Sequence, residues 1–438
     1  MQKTCTVSGQ NFVITEEDLK FYEKMGVPAP TLCPDERARR RMAFRNERTL
    51  YRRKCDLSGE AMMTIYAPDY SGKVYKPKYY FHGDWSPMDY ARDFDFSRPF
   101  FEQFGALFQE VPKIGLVYIG GDDTIENSEY TNDLLRVKNC YLCFDGQEAK
   151  DCLYLQGFTV SEDTLDCLNI YGLHFCYECT NCDNGYELFY SFNCENCQNS
   201  WFLRDCIGCR DCFGCTNLHQ KQYYIYNKSH TKEAYEAFME GFESGSYKVI
   251  EQLKANSQKF WDQGFVKYYH GQKIEDATGD FLYEAKDCEY CFESKKIRDC
   301  KYGSILWLGA NDCYDYDTWG DNAQLVYEAI CCGANIQDIG FSYFVSHGAK
   351  NVYYSQYCWF GVENIFGCVG LKKAANCVLN KSYTKHEYES LSKKIVQYMK
   401  ETREWGEFFP ISLSPFAYNE TVAQEYFPLS KEEALVRG

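Results

Sequence analysis

A long internal duplication is the feature that most restricts the fold of this chain. The spacing Cys-x2-Cys-x8-Cys occurs twice, at Cys140, Cys143 and Cys152 and at Cys288, Cys291 and Cys300. The ends match as well, because residues 213–232 and 366–385 share Phe-Gly-Cys, Asn-Lys-Ser and Thr-Lys in the same order. The offset between matching cysteines grows from 148 (Cys140 to Cys288) to 153 (Cys215 to Cys368), so we expect a small insertion in the second copy. Repetition on this scale predicts a stacked architecture.

A finer repeat lies inside each copy, since 12 of the 22 cysteines after residue 138 directly follow Asn or Asp. Asn and Asp readily form turns, and Cys is small and often buried. Each Asx-Cys pair therefore indicates a corner followed by an inward side chain. One constant interval separates Cys176, Cys194 and Cys212 and also Cys179, Cys197 and Cys215, while the intervals from Cys140 to Cys152 and on to Cys167 are shorter and unequal. We expect coils of variable length.

The predicted fold is mainly β, with two tandem parallel β-solenoid (β-helix-like) modules, helical caps and an N-terminal zinc-ribbon-like α+β segment. Tyr, Phe, Leu and Ile often follow the corners and suit short strands, and stacked coils bury a face that one coil cannot bury alone. Helical segments at 231–262 and 384–404 are expected to cover the open coil ends. The predicted boundaries are 1–125 for the degenerate ribbon-like and helical segment, 126–230 for the first module, 231–270 for a helical cap, 271–383 for the second module and 384–438 for a C-terminal helix and extended tail.

Two turns in the first segment are similar to those of a zinc ribbon. Residues 5–9 read Cys-Thr-Val-Ser-Gly and residues 55–59 read Cys-Asp-Leu-Ser-Gly, so Ser replaces the second Cys of a Cys-x-x-Cys-Gly turn. A structural zinc site needs four nitrogen, sulfur or carboxylate ligands, and the next ligand positions hold Lys76 and Tyr79. We therefore expect the ribbon shape without its zinc.

The densest thiol cluster is formed by Cys206, Cys209, Cys212 and Cys215, with two residues between each cysteine and the next. Such a run can ligate zinc, Cu(I) or an iron–sulfur cluster, so zinc or another thiophilic metal is one interpretation. The other is that these cysteines are inward members of the solenoid repeat. The second copy favours this interpretation, because Ile365 stands where Cys212 does. No catalytic residue is assigned, since the sequence lacks the familiar nucleotide-binding and hydrolase motifs.

Residues 34–54 form a basic segment in an otherwise acidic chain. Its nine basic residues, against three acidic ones, are Arg37, Arg39, Arg40, Arg41, Arg45, Arg48, Arg52, Arg53 and Lys54. One interpretation is a solvated or ion-paired helix face. The other is a surface that contacts RNA phosphates.

The net charge of −16 argues against general binding of polyanions by the whole molecule. The N-terminal residues do not resemble a signal peptide, and no apolar run is long enough to span a membrane. We therefore expect a cytoplasmic protein with reduced thiols and no membrane partner. The odd count of 25 cysteines also fits poorly with complete disulfide pairing.

The chain resembles a family of cysteine- and tyrosine-rich, zinc-ribbon-containing proteins of small-genome, candidate-phylum bacteria. The resemblance extends over essentially the whole chain and is most specific at residues 14–22, 44–51, 90–104, 405–409 and 425–428. It implies the same architecture and a bacterial cytoplasmic setting, and it implies no particular activity. Intact Cys-x-x-Cys turns are expected in the family, and Ser8, Ser58, Lys76 and Tyr79 depart from them here.

These observations favour a non-enzymatic scaffold or interaction protein. Its solenoid surface would bind a protein partner, and the basic segment would add an RNA or ribosome contact. The alternative is a metal-binding or thiol-redox protein that uses the Cys206–Cys215 run.

Overall fold

A triplet of residues is the smallest repeating unit in the computed structural model, which describes residues 1–118, 121–307, 309–320 and 323–437. In each triplet one residue turns the backbone with φ near +50°, and the next points inward. Asn139 (φ 52°) thus precedes the buried Cys140, and Asp151 (φ 55°) precedes the buried Cys152. Four triplets close a coil, so Cys140 lies one coil above Cys152. The predicted Asx-Cys corner is confirmed, and so is the parallel β-solenoid.

Coil length is more regular than the cysteine intervals suggested. Successive coils of the first module are four triplets apart, as in the pairing of Leu153 with Leu165. The interval from Cys176 to Cys194 is six triplets long, so it covers one and a half coils and places the two cysteines on opposite sides. In the second module five successive steps are longer by a single residue, linking 298 with 311, 313 with 326, 326 with 339, 339 with 352 and 352 with 365. These five additions account for the growth of the offset from 148 to 153.

The added residues in the second module lie at one corner of the coil. Two successive residues there have positive φ, as in Ala334-Asn335 and His347-Gly348. The insertion expected from the sequence is therefore distributed over five coils, one residue in each. Because the extra residue is absorbed at a corner, the inward positions of the following triplets keep their register.

The first module forms an 11-stranded sheet and the second a nine-stranded sheet with a separate two-stranded pair. The strands of the first module are β7 (Ile125–Glu126), β8 (Asn132–Lys138), β9 (Phe144–Lys150), β10 (Leu153–Glu162), β11 (Leu165–His174), β12 (Tyr177–Asp183), β13 (Tyr186–Phe192), β14 (Gln198–Trp201), β15 (Arg210–Phe213), β16 (Gln222–Ile225) and β17 (Lys228–Ser229). Those of the second are β18 (Gly271–Lys295), β19 (Ile297–Lys301), β20 (Ala310–Tyr314), β21 (Val326–Tyr327), β22 (Gln337–Gly340), β23 (Tyr343–Ser346), β24 (Lys350–Tyr353), β25 (Gln356–Trp359), β26 (Glu363–Phe366), β27 (Ala375–Val378) and β28 (Lys381–Ser382). The final strands β17 and β28 are antiparallel to their neighbours and end each stack.

The N-terminal segment contains two antiparallel hairpins and one parallel pair. Its strands are β1 (Gln2–Thr4), β2 (Asn11–Val13), β3 (Tyr51–Lys54), β4 (Ala61–Thr64), β5 (Val74–Tyr75) and β6 (Lys113–Ile114). The two Cys-x-x-Ser-Gly turns close the hairpins, with the Gly9 amide donating to the Cys5 carbonyl at 3.0 Å and the Gly59 amide to the Cys55 carbonyl at 2.8 Å. The Lys76 amide lies 3.3 Å from the Cys55 sulfur.

Nine helices of the described chain surround the solenoids. They are α1 (Glu16–Lys24), α2 (Pro34–Met42), α3 (Pro77–His82), α4 (Phe100–Glu110), α5 (Lys232–Glu240), α6 (Tyr247–Trp261), α7 (Lys385–Glu401), α8 (Val422–Tyr426) and α9 (Lys431–Val436). A capping box formed by Thr384 and Glu387 begins α7. Helix α6 differs from the expected end cap, because it lies along a flank, where Lys254 pairs with Glu178 and Trp261 meets Phe192. In the part of the chain that the structure describes, no helix is long and apolar enough to cross a membrane.

The two modules pack side by side in opposite directions. Gln272, at the start of the second module, bonds to Glu195 late in the first at 3.3 Å. Further along the second module, Glu293 accepts a 3.0 Å bond from Asn169. Further along still, Cys331 lies beside Asp133 and Asp145, near the beginning of the first module. The chain therefore forms a hairpin of two solenoids.

Candidate interaction surface

The run Cys206, Cys209, Cys212 and Cys215 supplies all four inward side chains of one coil. All four cysteines are free and buried. Each thiol lies near two main-chain carbonyls, as with Cys212, whose sulfur is 3.2 Å from the Arg210 oxygen and 3.6 Å from the Lys221 oxygen. Among the residues that the structure describes, no three His, Cys, Asp or Glu side chains are grouped to hold a metal ion.

Serine occupies equivalent inward positions and makes the same bonds. Ser200 donates to the Gln198 carbonyl at 2.7 Å and accepts the Cys212 amide at 3.0 Å. Cys167 likewise accepts the Cys179 amide at 3.3 Å. A coil of only four triplets encloses little space, so its interior favours small side chains that satisfy the backbone. This requirement explains the cysteine content without chemistry at the thiols.

Two thiols in the middle of the second module, those of Cys332 and Cys358, are poorly suited to redox chemistry. Burial raises the pKa of Cys332 to about 12 and that of Cys358 to about 12. The thiolate is the reactive form of cysteine. These side chains therefore remain protonated at neutral pH.

Five arginines of the basic segment are buried against carboxylates instead of facing solvent. The Arg37 Nε lies 2.7 Å from the Asp315 Oδ2, and the Arg41 Nε lies 2.6 Å from the Asp317 Oδ2. The remaining pairs join Arg39 to Glu36, Arg40 to Glu328 and Glu407, and Arg45 to Glu47. In this arrangement Arg37, Arg40 and Arg41 seat α2 on the second solenoid, as the ion-paired interpretation of the segment expects.

The four remaining basic residues lie on or before β3 and are more accessible. Three of them have partners, because Arg48 pairs with Glu425, Arg52 bonds to Tyr130 and Arg53 pairs with Asp56. Lys54 is exposed. The structure thus divides the predicted RNA-contacting set into a buried part and a smaller surface part.

One flank of the first module carries an unbroken column of apolar side chains. Successive coils place these residues in register: Tyr141, Leu153, Leu165, Tyr177, Phe189, Trp201, Phe213 and Ile225. We call this set the apolar column. The residues at the adjacent corner are Leu142, Tyr154, Asp166, Glu178, Tyr190, Phe202, Gly214 and Tyr226, which have positive φ. Such a face is expected to be covered, because a large contiguous apolar surface is costly in water.

Helices α5 and α6 and the turn between them cover the upper half of the apolar column. Phe242 meets Trp201 at a centroid distance of 4.8 Å, and Phe238 meets Phe213 at 5.0 Å. From α6, the Lys254 ammonium lies 2.7 Å from the Glu178 carboxylate and 4.7 Å from the centre of the Tyr190 ring. A cation thus anchors the covering helix at the corner.

The lower part of the column has no such cover among the described residues. Tyr141 is 41% exposed and Tyr154 is 46% exposed. Their rings are 6.0 Å apart, and Leu153 and Leu165 beside them are only half-buried. We call Tyr141, Leu153, Tyr154, Leu165 and Asp166 the bare stretch.

The equivalent flank of the second module is covered throughout its middle and end. Phe21 of α1 stacks on Tyr314 with centroids 3.8 Å apart and planes 8° apart. Farther along, Trp405 of the C-terminal tail stacks on Tyr353 at 5.9 Å. Between these contacts, α2 binds the corner residues through its arginines. The equivalent flank is therefore covered in the second module and partly uncovered in the first.

The corner residues themselves are alike in the two copies. Allowing for the added residues, Tyr154, Asp166 and Glu178 correspond to Tyr302, Asp315 and Glu328. In the second module Arg37 lies 5.5 Å from the centre of the Tyr302 ring and pairs with Asp315, while Arg40 pairs with Glu328. In the first module Asp166 is exposed, and no described hydrogen bond or ion pair joins its carboxylate to another side chain.

A partly buried acidic junction lies where the two modules meet the N-terminal segment. Burial and the Asp145 carboxylate raise the pKa of Asp133 to about 7, against the opposing effect of Arg45. Burial also raises the pKa of Asp145. The Arg45 guanidinium lies 3.9 Å from Asp145 and donates to the Thr318 hydroxyl at 2.5 Å. This junction connects all three parts of the chain.

Neither the family models nor the curated proteins compared with this chain give a match.

Sequence reasoning missed the apolar column and the bare stretch. The signal that could have revealed them was a constant period of aromatic and Leu residues, one per coil, from Tyr141 through Leu153 and Leu165 onwards. The cysteine pattern obscured that period, because inward cysteines occur in all four columns of the coil.

Proposed function

We propose that the protein is a non-enzymatic scaffold that binds a protein partner on the flank of its first solenoid module. The bare stretch is the observation that carries this proposal. The equivalent flank is covered by helices or the C-terminal tail elsewhere in both modules, while here two tyrosines are more than 40% exposed, Tyr141 at 41% and Tyr154 at 46%. Tyr at an exposed site combines a large apolar area with a polar tip, which is typical of protein interfaces.

Site-specific photo-crosslinking tests this function. A benzoylphenylalanine in place of Tyr154 should capture a defined protein from a bacterial lysate, and the captured protein should then bind the purified scaffold. Leu153→Asp should abolish both results. The matched control places the same probe at Tyr186, which is 42% exposed on a different face. Equal capture at both positions, or loss of binding on reconstitution, would exclude this flank as the binding surface.

A metal-binding or thiol-redox role is the second candidate, and a complete coil of four inward thiols is the observation in its favour. Elemental analysis of anaerobically purified protein distinguishes it from the scaffold. One equivalent of metal per chain that disappears in Cys209→Ala would support the metal role.

The RNA or ribosome contact has less support, because five of its nine candidate residues are buried in ion pairs.

A further inference from the structure

We propose that the bare stretch binds a basic amphipathic helix of the partner protein, with an arginine or lysine seated on Tyr154 and Asp166. This inference rests on the proposed function and specifies the chemistry of the partner. It is argued from two helices of the same chain that already bind the equivalent surface.

Helix α2 on the second module is the first template. Its Arg37 lies over Tyr302 and pairs with Asp315 at 2.7 Å, and its Arg40 pairs with Glu328 at 2.9 Å. Tyr302 and Asp315 correspond to Tyr154 and Asp166. The corner that α2 occupies in one copy is therefore present in the other copy with the same side chains, and no described helix lies on it.

The spacing of these contacts matches the geometry of a helix that follows the solenoid axis. Three residues of an α-helix advance about 4.5 Å, and successive coils are about 4.8 Å apart. Arg37 and Arg40 are one such step apart along α2, and their carboxylate partners Asp315 and Glu328 differ by one coil. A helix with cations at this spacing therefore keeps in step with the corner of successive coils.

Helix α6 on the first module is the second template, and it comes from a different part of the chain. Its Lys254 combines an ion pair to Glu178 with a position over the Tyr190 ring. Glu178 lies one coil beyond Asp166 on the same corner. The bare stretch thus continues a surface that already binds a basic helix, and Asp166 is the next carboxylate along it.

The charge of the surroundings favours such a helix over a nucleic acid. Asp151, Asp163, Asp166 and Glu178 lie near the bare stretch on its two corners, and they would repel phosphates. A cation that packs against a tyrosine ring and a carboxylate is stabilised by a cation–π interaction with the ring and by an ion pair with the carboxylate. The apolar side of the helix would then cover Tyr141, Leu153 and Leu165.

A labelled peptide with the sequence of residues 34–45 provides a direct probe, because it carries the α2 arginines in their native spacing. Fluorescence anisotropy should show saturable binding of this peptide to the full-length protein. Asp166→Asn and Tyr154→Ala should each weaken binding about tenfold, because each removes one of the two side chains that hold the cation. A peptide of the same composition with its arginines moved out of their native spacing should bind at least tenfold more weakly.

Asp163→Asn is the matched control, since it removes the same charge from the neighbouring corner of the solenoid. Equal weakening by Asp163→Asn and Asp166→Asn would overturn the proposal, because it would indicate unspecific charge attraction. If Asp166→Asn leaves the affinity for the peptide unchanged, the proposal is also overturned. Such a result would indicate that the peptide displaces α2 from the second module. If crosslinking at Tyr154 captures a partner without a basic helix, the scaffold function stands and this inference fails.

Discussion

Positive φ at every third residue is a recurring cost of building such narrow coils. Asn and Asp tolerate this conformation best among residues with a side chain, and they occupy corners such as Asn193 (φ 53°) and Asp205 (φ 55°). The chain also places β-branched residues there, at Val160 (φ 53°) and Ile305 (φ 56°). The hydrogen bonds of the neighbouring coils hold these residues in place.

Val160→Asn should stabilise the protein by about 1 kcal/mol, because Asn relieves the steric conflict of a branched side chain in the left-handed region. Urea unfolding monitored by circular dichroism measures this change. The opposite change at another corner, Asn193→Val, should destabilise the protein by about 1–2 kcal/mol, because it places a branched side chain at positive φ and removes the hydrogen bonds of Asn193 to Asp205 and His270. Loss of stability in both variants would contradict the argument.

The corner-and-inward pattern could be predicted from the sequence because a single Asx-Cys dipeptide carries both halves of it. Coil length could not be predicted from cysteines alone, since Ser191, Leu203 and Gly185 take inward positions as readily as Cys. The interior requires small volume and hydrogen bonding, and several residue types satisfy both requirements. The three-residue spacing of the inward positions therefore predicts the coil length better than the type of residue at those positions.

Helix α2 shows why the role of an element is harder to predict than its existence. The helix and its arginines were expected from residues 34–54, whereas their carboxylate partners lie 278 residues away at Asp315 and 276 away at Asp317. Local sequence contains no information about such pairing. A solvated face and a face buried in ion pairs therefore look alike until the fold is known.

Arg41→Met should destabilise the protein by about 3–5 kcal/mol, since removing one partner of a buried ion pair leaves a charge without compensation. The arginine is fully buried between Asp315 and Asp317. Arg98→Met is the matched control, because Arg98 pairs with Glu102 at an exposed site, where such pairs contribute about 0–1 kcal/mol. Chemical denaturation of both variants compares the two environments, and similar losses would contradict the buried-pair argument.

At the scale of the whole molecule, the net charge of −16 is partly concentrated where the modules face each other. Asp133, Asp145, Asp183 and Glu293 all lie along this contact. Burial raises the pKa of Asp183 to about 6 and raises that of Glu293. Antiparallel packing therefore brings acidic side chains together that the sequence places in separate copies.

Stability should fall as the pH rises from about 4 to about 7. Asp133 has a pKa of about 7 in the folded protein and about 3.9 when unfolded, so the folded state holds its proton across this range and the unfolded state does not. Asp133→Asn should flatten the dependence, and its melting temperature should exceed that of the wild type most clearly above pH 7. Asp163→Asn, at a corner away from this contact, is the control. Parallel melting curves against pH for the wild type and Asp133→Asn would contradict the assignment.

Because α2 packs on the second solenoid, it cannot dock until that part of the chain has been synthesised. At synthesis rates of about 5–20 residues per second, the carboxylate at position 315 follows Arg37 by about 15–60 seconds. The first module depends on contacts between successive coils, such as that of Leu153 with Leu165, and can assemble coil by coil during this interval. Arg37, Arg40 and Arg41 of α2 remain without their second-module partners until that module forms. Ribosome-bound chains that end near residue 270 should therefore contain a folded first solenoid and an undocked, protease-sensitive α2.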